Sequence, residues 1–126
     1  MKRYFCLLLS LLLLSGCERE VTIDDHFFLS TFDTNDLSLM YLNEKNQMFF
    51  VIRADIVAYL KCGNHIYIVQ HPLDGNGKPD DHSPEYFILD ANIDYSNDKL
   101  KPYSISESRF KETLEKECNG ESLKGL

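Results

Sequence analysis

Basic residues are scarce: 13 lysines and arginines stand against 20 aspartates and glutamates, giving a formal charge of −7. Phosphate binding rests on clustered Lys and Arg, so nucleic acid is not an expected partner; the acidity suits solubility or a basic protein partner. The chain also lacks a glycine-rich phosphate loop, a G-x-S-x-G turn and a Cys/His dyad, the usual sequence marks of nucleotide binding and nucleophilic catalysis. No catalytic residue and no cofactor are therefore expected. Internal repeats and low-complexity stretches are absent as well, and 126 residues suffice for one domain rather than two.

Long apolar runs are missing except at the start. Lys2 and Arg3 precede an apolar run from Tyr4 to Leu14 that ends in the small residues Ser15 and Gly16. A positive start, a short hydrophobic stretch and a small-residue exit form the layout of a secretory signal. At ~1.5 Å per helical residue the run is too short to cross a ~30 Å hydrocarbon core comfortably. Its end, Leu14-Ser15-Gly16-Cys17, resembles the lipobox of bacterial lipoproteins. That resemblance implies removal of residues 1–16 as a signal peptide and lipidation of Cys17. Glu18 follows where inner-membrane lipoproteins usually carry aspartate, so the implied location is the outer membrane, facing the periplasm. Several acyl chains would hold the protein firmly where one would not.

Cysteine is equally sparse. Of the four, Cys6 leaves with the signal and Cys17 takes lipid, so Cys62 and Cys118 remain. In an exported, oxidising setting they are expected to form one disulfide, the alternatives being a metal pair or two free thiols. Two cysteines without convergent histidines do not make a zinc site. In the chain-entropy model, closing so long a loop contributes about 4 kcal/mol.

Residues 17–25 read as the lipidated cysteine and a charged tether, 26–120 as one globular domain and 121–126 as a tail. From Phe27 onward, short runs rich in Phe, Tyr, Ile and Val alternate with polar turns: FFLSTF, LSLMYL, QMFFVI, DIVAYLK, NHIYIVQ and EYFILD. Such runs favour pleated, half-buried strands. Gly63-Asn64 suits a two-residue hairpin turn with glycine at its first central position. That register puts Cys62, Leu60, Ala58 and Ile56 on one face with His65, Tyr67, Val69 and His71. Lys61, Tyr59, Val57 and Asp55 share the other with Ile66, Ile68 and Gln70, and a one-residue slip would exchange the faces.

One helix stands out. Ser104-Ile105-Ser106-Glu107 reads as a capping box with Ser104 as N-cap. Phe110, Leu114 and Cys118 form an apolar stripe, Glu107/Lys111 and Glu112/Lys116 are favourable four-apart pairs, and Asn119-Gly120 supplies the stop. The stripe aims Cys118 at Cys62. The expected fold is therefore α+β, an antiparallel sheet of five to six strands with one C-terminal helix packed on one face. VAYLKCGNHIYIVQHPL, EYFILD and the final YSISESRFKETLEK together resemble an uncharacterised family of small bacterial lipoproteins with a domain of unknown function. That resemblance implies an exported α+β domain and supplies no mechanism.

Candidate chemistry concentrates in the loop HPLDGNGKPDDHSPE. Asp74, Asn76, Asp80 and Glu85 fall at EF-hand positions 1, 3, 7 and 12, but Lys78 occupies position 5 and Pro79 the glycine of position 6. A surface loop without metal is the expectation, and nothing in the spacing of His71, Asp74, Asp80 and His82 demands a transition metal. Asp24-Asp25 and Asp80-Asp81 are adjacent pairs that do not face one another on a strand, and read as solvated charge. Tyr4 and Phe5 leave with the signal, and the thirteen tyrosines and phenylalanines that remain are many for one sheet and one helix. Either the N-terminal strands cover the second face or that face stays partly open. The expected partner-binding face is the latter: Tyr59, Lys61, Ile66, Ile68 and Gln70, with neighbouring acidic loops. The functional expectation is a lipid-anchored periplasmic protein-binding module, such as an immunity or inhibitor lipoprotein against an envelope-acting toxin. An envelope assembly accessory, or a metal-dependent sensor or small enzyme built on the Asp74 loop, are the alternatives.

Overall fold

Every one of the aromatic and β-branched runs becomes a strand. The computed structural model of the protein describes residues 19–31 and 36–126. In it β1 (Glu20–Thr22), β2 (Phe27–Ser30), β3 (Ser38–Leu42) and β4 (Met48–Ile52) form a meander in spatial order β1-β2-β3-β4. A second sheet runs β7-β6-β5-β8, from β5 (Ile56–Cys62), β6 (His65–Gln70), β7 (Glu85–Asp90) and β8 (Lys124–Gly125). All pairings are antiparallel. Helix α1 (Glu107–Cys118) packs against the second sheet.

The fold is thus α+β with one C-terminal helix, but the expected single sheet of five to six strands is two sheets of four. The reason lies in β6, where residues 66–70 are all buried. A strand that is apolar on both faces needs cover on both. Tyr67 and Val69 meet Phe110 and the disulfide on the helix side, whereas Ile66 and Ile68 join Phe27, Leu29, Leu39 and Tyr41 of the first sheet in one core. Helix, sheet and sheet make three layers with two cores.

The hairpin keeps the expected pairing from Cys62↔His65 to Ala58↔Val69, with Gly63 at φ +56°. A bulge then shifts the partner of Ile56 to Gln70. The extra residue, Val57, packs with Ala58 on the helix side, and Ile56 moves to the core between the sheets at 1% exposure. The expected placement of Ile56 beside Leu60 and Cys62 is corrected accordingly, as a two-against-one bulge requires.

Helix α1 begins two residues later than a Ser104 cap implies. Ile105 donates its N–H to the Tyr86 carbonyl at 2.8 Å and stays extended in a β-bridge. The N-cap is Ser106, whose Oγ accepts from the Arg109 N–H at 3.2 Å. Glu107 therefore opens the helix and turns its carboxylate to Lys111 Nζ at 2.8 Å and the Tyr86 hydroxyl at 2.9 Å. Lys116 reaches Glu112 at 3.0 Å, as the four-apart spacing predicts. Replacing Ser106 by alanine should cost roughly 1 kcal/mol while Ser104→Ala costs a few tenths at most. Urea titration of both variants checks this, and equal losses would restore Ser104 as the cap.

Both ends of the fold reach further than 26–120. Residues 20–22 of the expected tether form β1, and the expected tail contributes Leu123 to the helix-side core and β8 to the second sheet. Leu126 donates its N–H to the Val57 carbonyl at 3.1 Å.

Candidate functional site

The hairpin face expected to bind a partner lies inside the protein. Ile66 and Ile68 are fully buried and Gln70 is 8% exposed, its amide donating to the Arg53 carbonyl at 2.6 Å. Tyr59 is half-buried against the same core, with Lys124 Nζ 5.8 Å from its ring centre, and Lys61 alone is exposed. The first sheet folds over this face because the apolar side chains of both sheets can leave water together. The open-face expectation is therefore corrected, and the N-terminal strands cover the second face. Cys17 lies outside the described residues.

At the other face, the structure joins Cys62 to Cys118, with Cα atoms 5.9 Å apart. Beside the bridge, Glu117 accepts from the Tyr67 hydroxyl at 2.6 Å and from His65 Nδ1 at 2.7 Å. Burial works against ionisation of Glu117, but these two bonds outweigh it and hold the carboxyl below its ordinary range. Burial first, and the Glu117 carboxylate second, push the Tyr67 hydroxyl well up. The cluster clamps the helix end to the hairpin.

The 74–85 loop is built from its own carboxylates. Asp74 Oδ1 accepts from the N–H groups of Asn76 and Lys78 at 2.8 and 3.0 Å, and Asp80 Oδ1 accepts from His82 N–H at 3.0 Å. Leu73 and Pro79 bridge across it, and Gly77 takes φ +76°. These are Asx-turn bonds, the role expected of Asp in a tight loop. Among the described residues, the ligand-type atoms that converge are those of Cys62, Glu117 and Cys118, not those of the loop, and the two sulfurs are bonded to each other. His71, Asp74, Asp80 and His82 are not brought together.

The structure instead opens a cleft of about 690 Å³ at one end of the sandwich. One wall is the β3–β4 turn and the other is the segment after β7, with His26, Tyr41 and Phe49 between them. Polar side chains set both walls. Asn43 Oδ1 accepts from the N–H groups of Lys45 and Gln47 at 3.0 and 2.9 Å, while its amide donates to Gln47 Oε1 at 3.0 Å. Across the cleft, Asp90 and Asp94 accept from the N–H groups of Asn92 and Ser96 at 2.8 and 2.9 Å. Asp24 Oδ1, which caps the turn before β2, accepts from the N–H groups of His26 and Phe27 at 2.9 and 2.8 Å.

His26 Nδ1 lies 2.7 Å from the Leu42 carbonyl, which can only accept, so Nδ1 carries a proton and Nε2 of the neutral ring is an acceptor. The imidazole stacks on Tyr41 at 5.5 Å and 21°. Tyr41 in turn meets Phe27 and Tyr95 edge-on at 5.1 and 6.3 Å, which fixes its ring. Burial raises the pKa of Tyr41, and the carboxylates of Asp94, Glu44 and Asp24 raise it further. Hydrogen bonds from Ser96 hold Asp94 below the ordinary carboxylate range, with a smaller contribution from His26.

Strand-end turn residues such as Asn43, Asp90 and Asp94 are visible in the sequence, but nothing local announces that turns some 50 residues apart will face each other. Compared with models of protein families, with curated proteins and with solved structures, the chain matches none.

Proposed function

We propose that the protein is a lipid-anchored periplasmic binding module that holds another protein at the membrane without catalysing a reaction, in the manner of an immunity or inhibitor lipoprotein. The observation that carries this reading is the cleft, walled by turns that their own side chains hold in place and carried on a body stapled by a disulfide. A rigid concave site needs little ordering on binding, which favours affinity. The Leu14-Ser15-Gly16-Cys17 segment supports lipid attachment at Cys17 and, with Glu18 following, residence in the outer membrane. The acid excess supports a basic partner steered electrostatically, with association slowing as salt is added.

The anchor is tested by acyl labelling in the producing cell. The native chain should incorporate labelled palmitate, and Cys17→Ser should lose the label and stay uncleaved. Label retained in that variant would remove the lipoprotein reading. Partner binding is tested by affinity capture from envelope extract with the native chain. A partner that does not depend on the folded protein, being captured equally after unfolding, would remove the binding reading.

A further inference from the structure

We propose that the cleft receives an arginine or lysine side chain of the partner, held between Tyr41, Glu44 and Asp94. This deepens the binding-module reading and rests on it. Tyr41 is 6% exposed, and no hydrogen bond to its hydroxyl is present among the described residues. Every fully buried side-chain nitrogen or oxygen there has a partner, so the Tyr41 hydroxyl must reach solvent, and the solvent beside it is the cleft that this residue lines. A nearly buried hydroxyl that meets only the water of a concave space can exchange that water for an atom of a bound group.

What that group is follows from the surrounding atoms. Asp94, held by the backbone N–H and the side chain of Ser96, stays exposed on one wall; Glu44 is exposed on the opposite turn; and the charge of Asp24 also reaches Tyr41. The phenolic oxygen and both carboxylates can all accept. A cationic group with donors only matches them, as guanidinium and ammonium do, whereas the donor-only indole of Trp has no charge to pair with the carboxylates. Phe49 and Ile93 supply partly buried apolar surface for the aliphatic stem of such a side chain. Lys45, on the rim, is the cation that opposes this arrangement.

The test uses the full-length chain in neutral detergent and two probes, N-acetyl-arginine methylamide and its uncharged citrulline counterpart, followed by amide NMR shifts. The arginine probe should shift residues around 26, 41–49 and 91–96, and citrulline should bind at least tenfold more weakly. Glu44→Gln with Asp94→Asn should weaken the arginine probe at least tenfold, Tyr41→Phe several-fold with melting unchanged, and Lys45→Ala should tighten it. Equal binding of the two probes, or shifts scattered over the acidic surface, would overturn the assignment. Capture of a partner by the native chain and equally by the Glu44→Gln, Asp94→Asn variant would overturn it too, while leaving the binding-module reading intact. Arginine binding in the cleft with no partner captured would do the reverse.

Discussion

Replacing Cys62 and Cys118 together by alanine is expected to remove about 4 kcal/mol of stability, because the bridge closes a loop with a sequence separation of 56. For a domain of this size that loss lowers the melting temperature by roughly 15 °C. The bridge ties the last turn of α1 to the end of β5, and without it the helix is held by its side-chain packing, the Glu117 clamp, the Ile105–Tyr86 bridge before it and the β5–β8 pairing after it. Calorimetry of the native protein with and without a dithiol reductant should show the same drop, and the double variant should ignore the reductant. A native protein whose melting is indifferent to reductant would show that the bridge either does not form or does not restrain the unfolded chain.

Phe110→Ala is expected to cost about 3–5 kcal/mol, the range for deleting a buried aromatic ring. Phe110 is 1% exposed and meets Tyr67 and Tyr86 at ring-centre distances of 5.5 and 5.1 Å. It is the side chain through which the helix fills the space above the second sheet. Leu114, one turn on, is half-buried and should lose about half as much as alanine. Chemical denaturation of the two variants gives the comparison directly. A loss below 1 kcal/mol at Phe110 would mean that the helix is held by the bridge alone and not by packing.

Elements governed by neighbours in sequence were legible before the structure. The strand runs, the Gly63 turn, the register of residues 58–62 against 65–69, the helix stripe and its ion pairs all depend on contacts across a few residues or a tight turn. What escaped depends on contacts across the chain. Nothing in QMFFVI or DIVAYLK says that β5 will pair with β8 rather than with β4, and so divide one sheet into two. The bulge at Val57 resolves a competition between two cores for Ile56 and Val57, which no alternation pattern contains. Ser104 lost its cap role because Ile105 is held by Tyr86, a residue in another element. The hairpin face was misjudged for the same reason: Ile66 and Ile68 are covered by strands whose destination the sequence pattern leaves open. The cleft is farthest from local legibility, since its two walls come from different sheets' connections.

The first strand starts at Glu20, three residues after Cys17. Three residues of even fully extended chain span about 10 Å. With lipid on Cys17, as proposed, the edge of the first sheet would ride directly on the headgroups, able to swivel but not to lift away. Such a protein would have no arm with which to search the space beyond the bilayer. It would act as a sentry at the membrane face, meeting only what arrives there.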